Sequence, residues 1–152
     1  MSEESPNRGL HPDDPLAKQL TARTQPTVMK TEPMEKPIRS LLSISIPQDR
    51  ISAILQGSAP ESMAQKWYIY STGPTIQGLA TLFMFRSWTG LAVAEITISI
   101  PVDGAGKTMD GDSKMTEIRW ESSYDRVGQQ TEESAKETVL EVCKWVLGVD
   151  LS

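Results

Sequence analysis

Hydrophobic side chains recur at every second position in four stretches of the chain. In residues 66–71 Trp67 and Ile69 alternate with Tyr68 and Tyr70, and in residues 80–87 Leu82 and Met84 alternate with Phe83 and Phe85. Successive side chains of a strand point to opposite faces, and aromatic residues suit a pleated surface, so both stretches predict strands. Residues 91–100 set Ala92, Ala94, Ile96, Ile98 and Ile100 against Glu95, Thr97 and Ser99. Residues 115–122 set Ile118 and Trp120 against Glu117, Arg119 and Glu121. This is the alternation of strands with one face in water. Short connections between the first three predict an antiparallel meander, with the fourth joined by a longer loop.

Two other stretches carry a helical period. Ile44 and Ile46 alternate with Ser43 and Ser45, and after Pro47 come Ile51, Ile54 and Leu55 at helical spacing before Gly57. Proline in a first turn and glycine just past the end predict a short helix over residues 47–56. Ala135, Val139, Val142, Cys143 and Val146 then mark one face of a helix over residues 131–147, with Thr131 and Ser134 as caps and Gly148 as the stop. The fold class is therefore α+β: an antiparallel four-stranded meander covered by a long C-terminal amphipathic helix, with a short helix before the sheet.

Composition changes the picture mainly at the start of the chain. The first 38 of the 152 residues hold six of the ten prolines and no aromatic residue. Such a segment buries too little apolar surface to offset the entropy of ordering, so residues 1–38 read as a disordered Pro-rich tail and residues 39–152 as a single α+β domain. Acidic and basic residues balance up to residue 39, which assigns the net charge of -5 to the domain. An acidic domain lacks the clustered positive charge of a general nucleic-acid binder. The polar start has no apolar signal core, and no stretch approaches the roughly eighteen apolar residues of a membrane span, so the expected location is cytoplasmic or nuclear. With one cysteine, Cys143, and one histidine, His11, the domain holds no disulfide framework, no Cys/His zinc site and no Ser-His or Cys-His catalytic pair. No cofactor is indicated.

Several motifs invite a chemical reading and fail on spacing. Gly104-Ala105-Gly106-Lys107-Thr108 resembles the end of a phosphate-binding loop, but Pro101 stands where the first glycine belongs and no apolar helix follows. Asp110, Asp112 and Glu121 echo a calcium loop, but Lys114 takes a ligand position and Met115 the place of the turn glycine. Met29-Lys30-Thr31-Glu32 fits a hydrophobic-Lys-x-Glu modification pattern in the tail. Cys143 falls on the apolar stripe of the last helix and reads as a small buried hydrophobe. Without a usable histidine, acid/base work falls to Glu95, Glu117, Glu121, Asp125 or the tyrosines. Glu117 and Glu121 stand about 13 Å apart by strand rise, too far for a direct pair.

The most informative segment is Phe85-Arg86-Ser87-Trp88-Thr89-Gly90, since tight turns need only Gly, Asn, Asp or Pro. The Arg86 fork suits a carboxylate or phosphate, Trp88 a planar ligand or Arg86 itself, and Ser87 and Thr89 hydrogen bonds. A structural hairpin explains the same residues, with Trp88 on the core edge, Arg86 paired across to a carboxylate and Gly90 at positive φ.

Together with Lys66-Trp67-Tyr68-Ile69-Tyr70, this turn resembles a family of small, mostly uncharacterised domains. Their pattern is a Lys-Trp-aromatic-Ile-Tyr strand followed by an aromatic-His-Arg-Ser-Trp-Thr-Gly hairpin. The resemblance covers roughly residues 66–147 and leaves the tail and the Gly104 loop without counterpart. Members occur alone or beside ADP-ribosylglycohydrolase-type modules, which implies a link to ADP-ribose or NAD metabolism. Phe85 stands where the family commonly has histidine, so a role for imidazole is not carried over, and neither is any catalytic residue. A shared ligand site would draw on Lys66, Tyr68, Arg86, Trp88 and Thr89.

The expected function is thus a non-catalytic binding or interaction domain for a protein or small-molecule ligand, without nucleic acid or membrane as partner. The alternatives are an accessory protein or minor enzyme of ADP-ribose or nucleotide metabolism and, behind both, a small lyase or cyclase using tyrosine and carboxylate. A pocket joining Lys66, Arg86 and Trp88 to Glu95 or Glu121, with the cations unpaired, would speak for the second. Arg86 clamped by a carboxylate and Trp88 packed flat would remove its site.

Overall fold

The computed structural model of the chain describes residues 9–152. Its centre is a five-stranded antiparallel sheet made of β1 (Pro37–Ile46), β2 (Trp67–Thr72), β3 (Leu79–Arg86), β4 (Ala92–Ser99) and β5 (Ser113–Glu121), in the order β1-β5-β4-β3-β2. The helices are α1 (Pro15–Gln19), α2 (Ile51–Gln56) after a 3-10 turn at Gln48–Arg50, α3 (Tyr124–Val127) and α4 (Glu132–Trp145). No helix among the described residues is long and apolar enough to cross a membrane.

The α+β class and the meander β2-β3-β4-β5 follow the hydrophobic pattern, but the sheet has five strands rather than four. The fifth, β1, closes the far side of β5 from Pro37↔Glu121 to Ile46↔Ser113. Its burial does alternate, with Ile44 half-buried and Ile46 fully buried between exposed serines. Its partner lies some seventy residues on in the sequence, so no turn signal announces the pairing.

The alternation sends side chains to two different layers. On one face Ile69, Leu82, Met84, Ala94, Ile96, Ile98, Met115, Ile118 and Trp120 form the main core with Ile54 and Leu55 of α2 and Ala135, Val139, Val142 and Cys143 of α4. On the other face Tyr68, Phe85 and Ala92 form a second cluster, joined by Tyr70, Phe83, Met29 and Met34. The rings of Tyr70 and Phe83 stack at 4.9 Å and those of Tyr70 and Phe85 at 5.5 Å. Where the aromatics end, the second face turns polar, with the pairs Glu95–Arg119 at 3.0 Å and Arg39–Glu117 at 2.6 Å running across β4, β5 and β1.

Met29 and Met34 belong to the stretch expected to be a disordered tail. The first eight residues lie outside the described residues, and that expectation for them with it. From residue 9 onward the structure differs: the chain runs against the domain as a strap. The Asp14 carboxylate caps α1 by accepting from Leu16 N at 3.0 Å, and also accepts from the Thr108 amide and hydroxyl at 3.0 and 2.7 Å. Thr24 N donates to the Gln56 carbonyl, and the Tyr68 hydroxyl to that of Gln25. Glu32 bridges the start of β4, its N–H donating to Gly90 at 2.8 Å and its carbonyl accepting from Ala92 at 3.2 Å. Composition misses this because the strap is held by backbone groups, capping side chains and a few apolar contacts rather than by a core of its own.

Candidate functional site

Strands β3 and β4 are joined by the Arg86-to-Gly90 turn. Gly90 N donates to the Arg86 carbonyl at 2.8 Å, and the Thr89 hydroxyl accepts from Leu91 N at 3.2 Å. Gly90 has φ +73°, and a Cβ there would overlap the Lys30 carbonyl oxygen, so glycine is required both by the turn and by the strap passing over it. The turn is tied to the residues before β2: Ser87 N donates to the Lys66 carbonyl at 2.9 Å and the Ser87 hydroxyl to Gln65 at 2.7 Å.

The register Trp67↔Arg86 sets these two side chains next to each other on the face that carries α4. The Arg86 guanidinium lies over the Trp67 ring, 4.4 Å from its centre. It makes no ion pair with a carboxylate among the described residues, and partial desolvation holds its pKa below the ordinary arginine value. Beside it opens a hollow of about 290 Å³ lined by Trp67, Arg86, Thr138, Glu141, Trp145 and their aliphatic neighbours on α4. A second hollow of about 400 Å³ shares Trp67, Trp145 and Val146 and continues to Lys66, Gln65 and Ser58. Trp145 is 76% exposed, with the Lys144 ammonium 5.0 Å from its ring centre.

The five residues expected to form a ligand site are therefore divided. Arg86 and Lys66 flank one groove on either side of Trp67. Trp88 lines neither hollow; it is 65% exposed, its indole N–H donating to the Met63 carbonyl at 2.9 Å, and it is not packed flat into the core. Thr89 is occupied within the turn. Tyr68 is on the opposite face, fully buried beneath the strap with its hydroxyl engaged, and burial pushes that hydroxyl's pKa up. What the sequence reading missed is α4's share, Thr138, Glu141 and above all Trp145. A tryptophan off the helix's apolar stripe was the available signal.

Glu95 and Glu121, the carboxylates considered as partners for these cations, belong elsewhere. Glu95 is paired with Arg119 across the polar part of the second face. Glu121 is fully buried at the end of β5 and accepts from the amides of Glu35, Lys36 and Ser123 at 2.7, 2.9 and 2.9 Å. Burial alone would push its carboxyl up, but these N–H donors hold it below the ordinary glutamate value.

The remaining motifs are structural in their contacts. In the Gly104 loop the amides of Ala105 and Lys107 donate to the Asp103 carboxylate at 2.8 and 3.0 Å, the groups a phosphate would need. Asp110 and Asp112 both accept from Gln48, at 3.1 and 3.0 Å, docking the 3-10 turn. Lys30 of the modification pattern lies in the docked strap, exposed. Cys143 is fully buried, and desolvation pushes its thiol to about 12, which keeps it protonated and unreactive. No group of three or more His, Cys, Asp or Glu among the described residues is placed to hold a metal ion.

Two further hollows lie where the strap meets the sheet. One of about 570 Å³ has Arg23 on its wall, and one of about 460 Å³ has His11, Asp14 and Lys107. Their buried polar groups are spent on the fold: Arg23 donates to the Ser71 hydroxyl at 2.7 Å, and Asp14 holds Thr108. The Trp67–Trp145 groove instead combines a guanidinium that makes no ion pair among the described residues, two indoles and a second cation, with the Glu141 carboxylate on the α4 wall. Comparison with known sequence families, with curated proteins and with solved structures finds no match to this chain.

Proposed function

We propose that the chain is a non-catalytic binding domain that holds an anionic partner in the groove between Trp67 and Trp145. The observation that carries this reading is Arg86, stacked on Trp67 with no carboxylate partner among the described residues. Stacking fixes the plane of a guanidinium without neutralising its charge, so an incoming carboxylate or phosphate meets a pre-oriented fork and displaces no structural ion pair. Exposed tryptophan beside arginine is also the composition of energetic anchors at interfaces. Lys66 adds a second positive charge on the other side of Trp67.

A role in ADP-ribose or nucleotide chemistry draws on the same groove and on the family resemblance. The two cations suit phosphates, and the exposed indole of Trp145 suits a base. It lacks its expected carboxylates, because Glu95 and Glu121 are engaged on the other side of the sheet, so the binding reading stands ahead of a catalytic one. The lyase or cyclase reading loses Tyr68, whose hydroxyl is committed to the strap.

The test is a titration of the whole chain with ADP-ribose, NAD, inorganic phosphate and an acidic peptide, followed by tryptophan fluorescence. Arg86→Ala and Trp145→Ala are measured alongside. Saturable quenching lost in both variants, at melting temperatures close to the parent's, is the expected result. Binding that persists in both variants places the ligand elsewhere, and no binding by any probe removes the groove as an anion site.

A further inference from the structure

The two edges of the sheet are treated differently. At the β2 edge, Ser58 exchanges both backbone hydrogen bonds with Ile69, at 2.8 and 2.9 Å, and the strand is only six residues long. At the other edge β1 runs for ten residues, Pro-Ile-Arg-Ser-Leu-Leu-Ser-Ile-Ser-Ile, and nothing among the described residues pairs with its outer side. Natural edge strands are blunted by short length, by lysine or proline, by a bulge, by an inward-pointing charge or by a cover. Of these β1 carries Pro37 at its first position and the register shift between Leu41 and Ile44. Here Arg39 is the only charged residue of the strand, and it is already paired with Glu117. Leu41 is 78% exposed and Ile38 43%.

We infer that β1 is the seam of a homodimer, pairing antiparallel with β1 of a second copy to make one continuous ten-stranded sheet. The strand is complementary to itself. Lys36 bonds toward Ser122 of the neighbouring chain segment, so alternation turns the backbone groups of Arg39 and Leu41 to the open side. A two-fold axis normal to the sheet at Leu41 sets the two Leu41 side chains opposite one another on the second face. The same axis sets Ile38 against Ile44 of the copy on the helix-bearing face, and Arg39 against Ser43, so no like charges stand opposite one another within the two strands. Register and face agree at each of these pairs, since even-numbered residues of β1 are the more buried set from Ser40 to Ile46. A second copy fits better than an unrelated peptide because the one charge of this segment, Arg39, is already paired with Glu117 and leaves a peptide no free charge to recognise. It offers its own copy matched apolar pairs.

The register shift between Leu41 and Ile44 twists the strand and shortens the seam. One strand-width of contact is also small beside the roughly 800 Å² per partner of a standard interface, so the dimer dissociates on dilution. Because the β2 edge is already occupied by Ser58, the assembly closes at two copies and does not propagate.

Sedimentation velocity on the whole chain over two decades of concentration tests this. The expected result is a reversible shift from one copy to two and no further. Leu41→Lys and Leu41→Glu are each expected to remain monomeric, and an equimolar mixture of the two to recover the dimer. Amide exchange of the unaltered protein supplies a reading independent of any variant, with Arg39 and Leu41 slowing as concentration rises. A single monomeric species at all concentrations, a dimer that survives both single variants, or growth past two copies would overturn the assignment.

Discussion

Glu121 shows how much one side chain can organise. A fully buried carboxylate without an ion-pair partner within 4 Å among the described residues is costly, and this one is tolerated because three amides point at it from two segments far apart in sequence. Glu35 and Lys36 lie at the end of the strap and Ser123 follows β5, so the carboxylate fastens the strap to the sheet. Glu121→Gln keeps the shape but turns an NH2 toward amide donors, and is expected to cost about 2 kcal/mol, read from denaturant unfolding. The pH dependence follows from its lowered pKa. The unfolded chain takes up the proton first as acid is added, so the stabilisation is complete above the ordinary value of 4.5 and is lost as pH falls through the lower folded value. The parent should therefore lose stability below that point more steeply than Glu121→Gln. Equal slopes would remove the carboxylate from this role. In the sequence Glu121 read as one more solvent-facing residue of an alternating strand, because nothing local reports that a distant backbone will bring it donors.

Elements divide in the same way between local and distant causes. The long helix was legible because its signals are its own: an apolar stripe, Thr131 and Ser134 closing a capping box at 3.1 and 2.9 Å, and a glycine beyond its end. The meander was legible because its strands alternate and neighbours in sequence pair. Strand β1 and the strap were not, since each depends on a partner many residues away, β5 for one and the Gly90 turn for the other. Gly90 itself was expected at a positive φ, and that part was correct. The Lys30 carbonyl pressed against it was beyond any local reading. Gly90→Ala is therefore expected to cost about 3 kcal/mol, more than the strain of a left-handed backbone alone, because the new methyl meets a backbone oxygen that cannot rotate away. A thermal melt unchanged from the parent would show that the strap yields freely at that point.

At the scale of the whole molecule, the sheet needs cover on both faces. Helices α2 and α4 supply it on one, and the strap supplies it for Tyr68, Phe85 and Ala92 on the other. A chain shortened to residues 39–152 would lose the strap and with it the acceptor of the Tyr68 hydroxyl. It is expected to melt several degrees lower and to bind a hydrophobic dye that the full chain does not. Equal melting of the two would mean that the domain is complete without the strap. Periodicity and caps by themselves determined the fold class, the meander and the final helix, since each rests on forces between residues near in sequence. They also marked Arg86 and Trp88 as unusual for a turn. Tertiary structure alone decided that Arg86 stacks on Trp67, that α4 brings Trp145 to the same groove, that Tyr68 is turned away from it, and that β1 is left as an open edge among the described residues. Those four outcomes depend on register and on which face each strand presents. A period of two reveals that a strand has two faces, but only the packing of distant segments determines what each face meets.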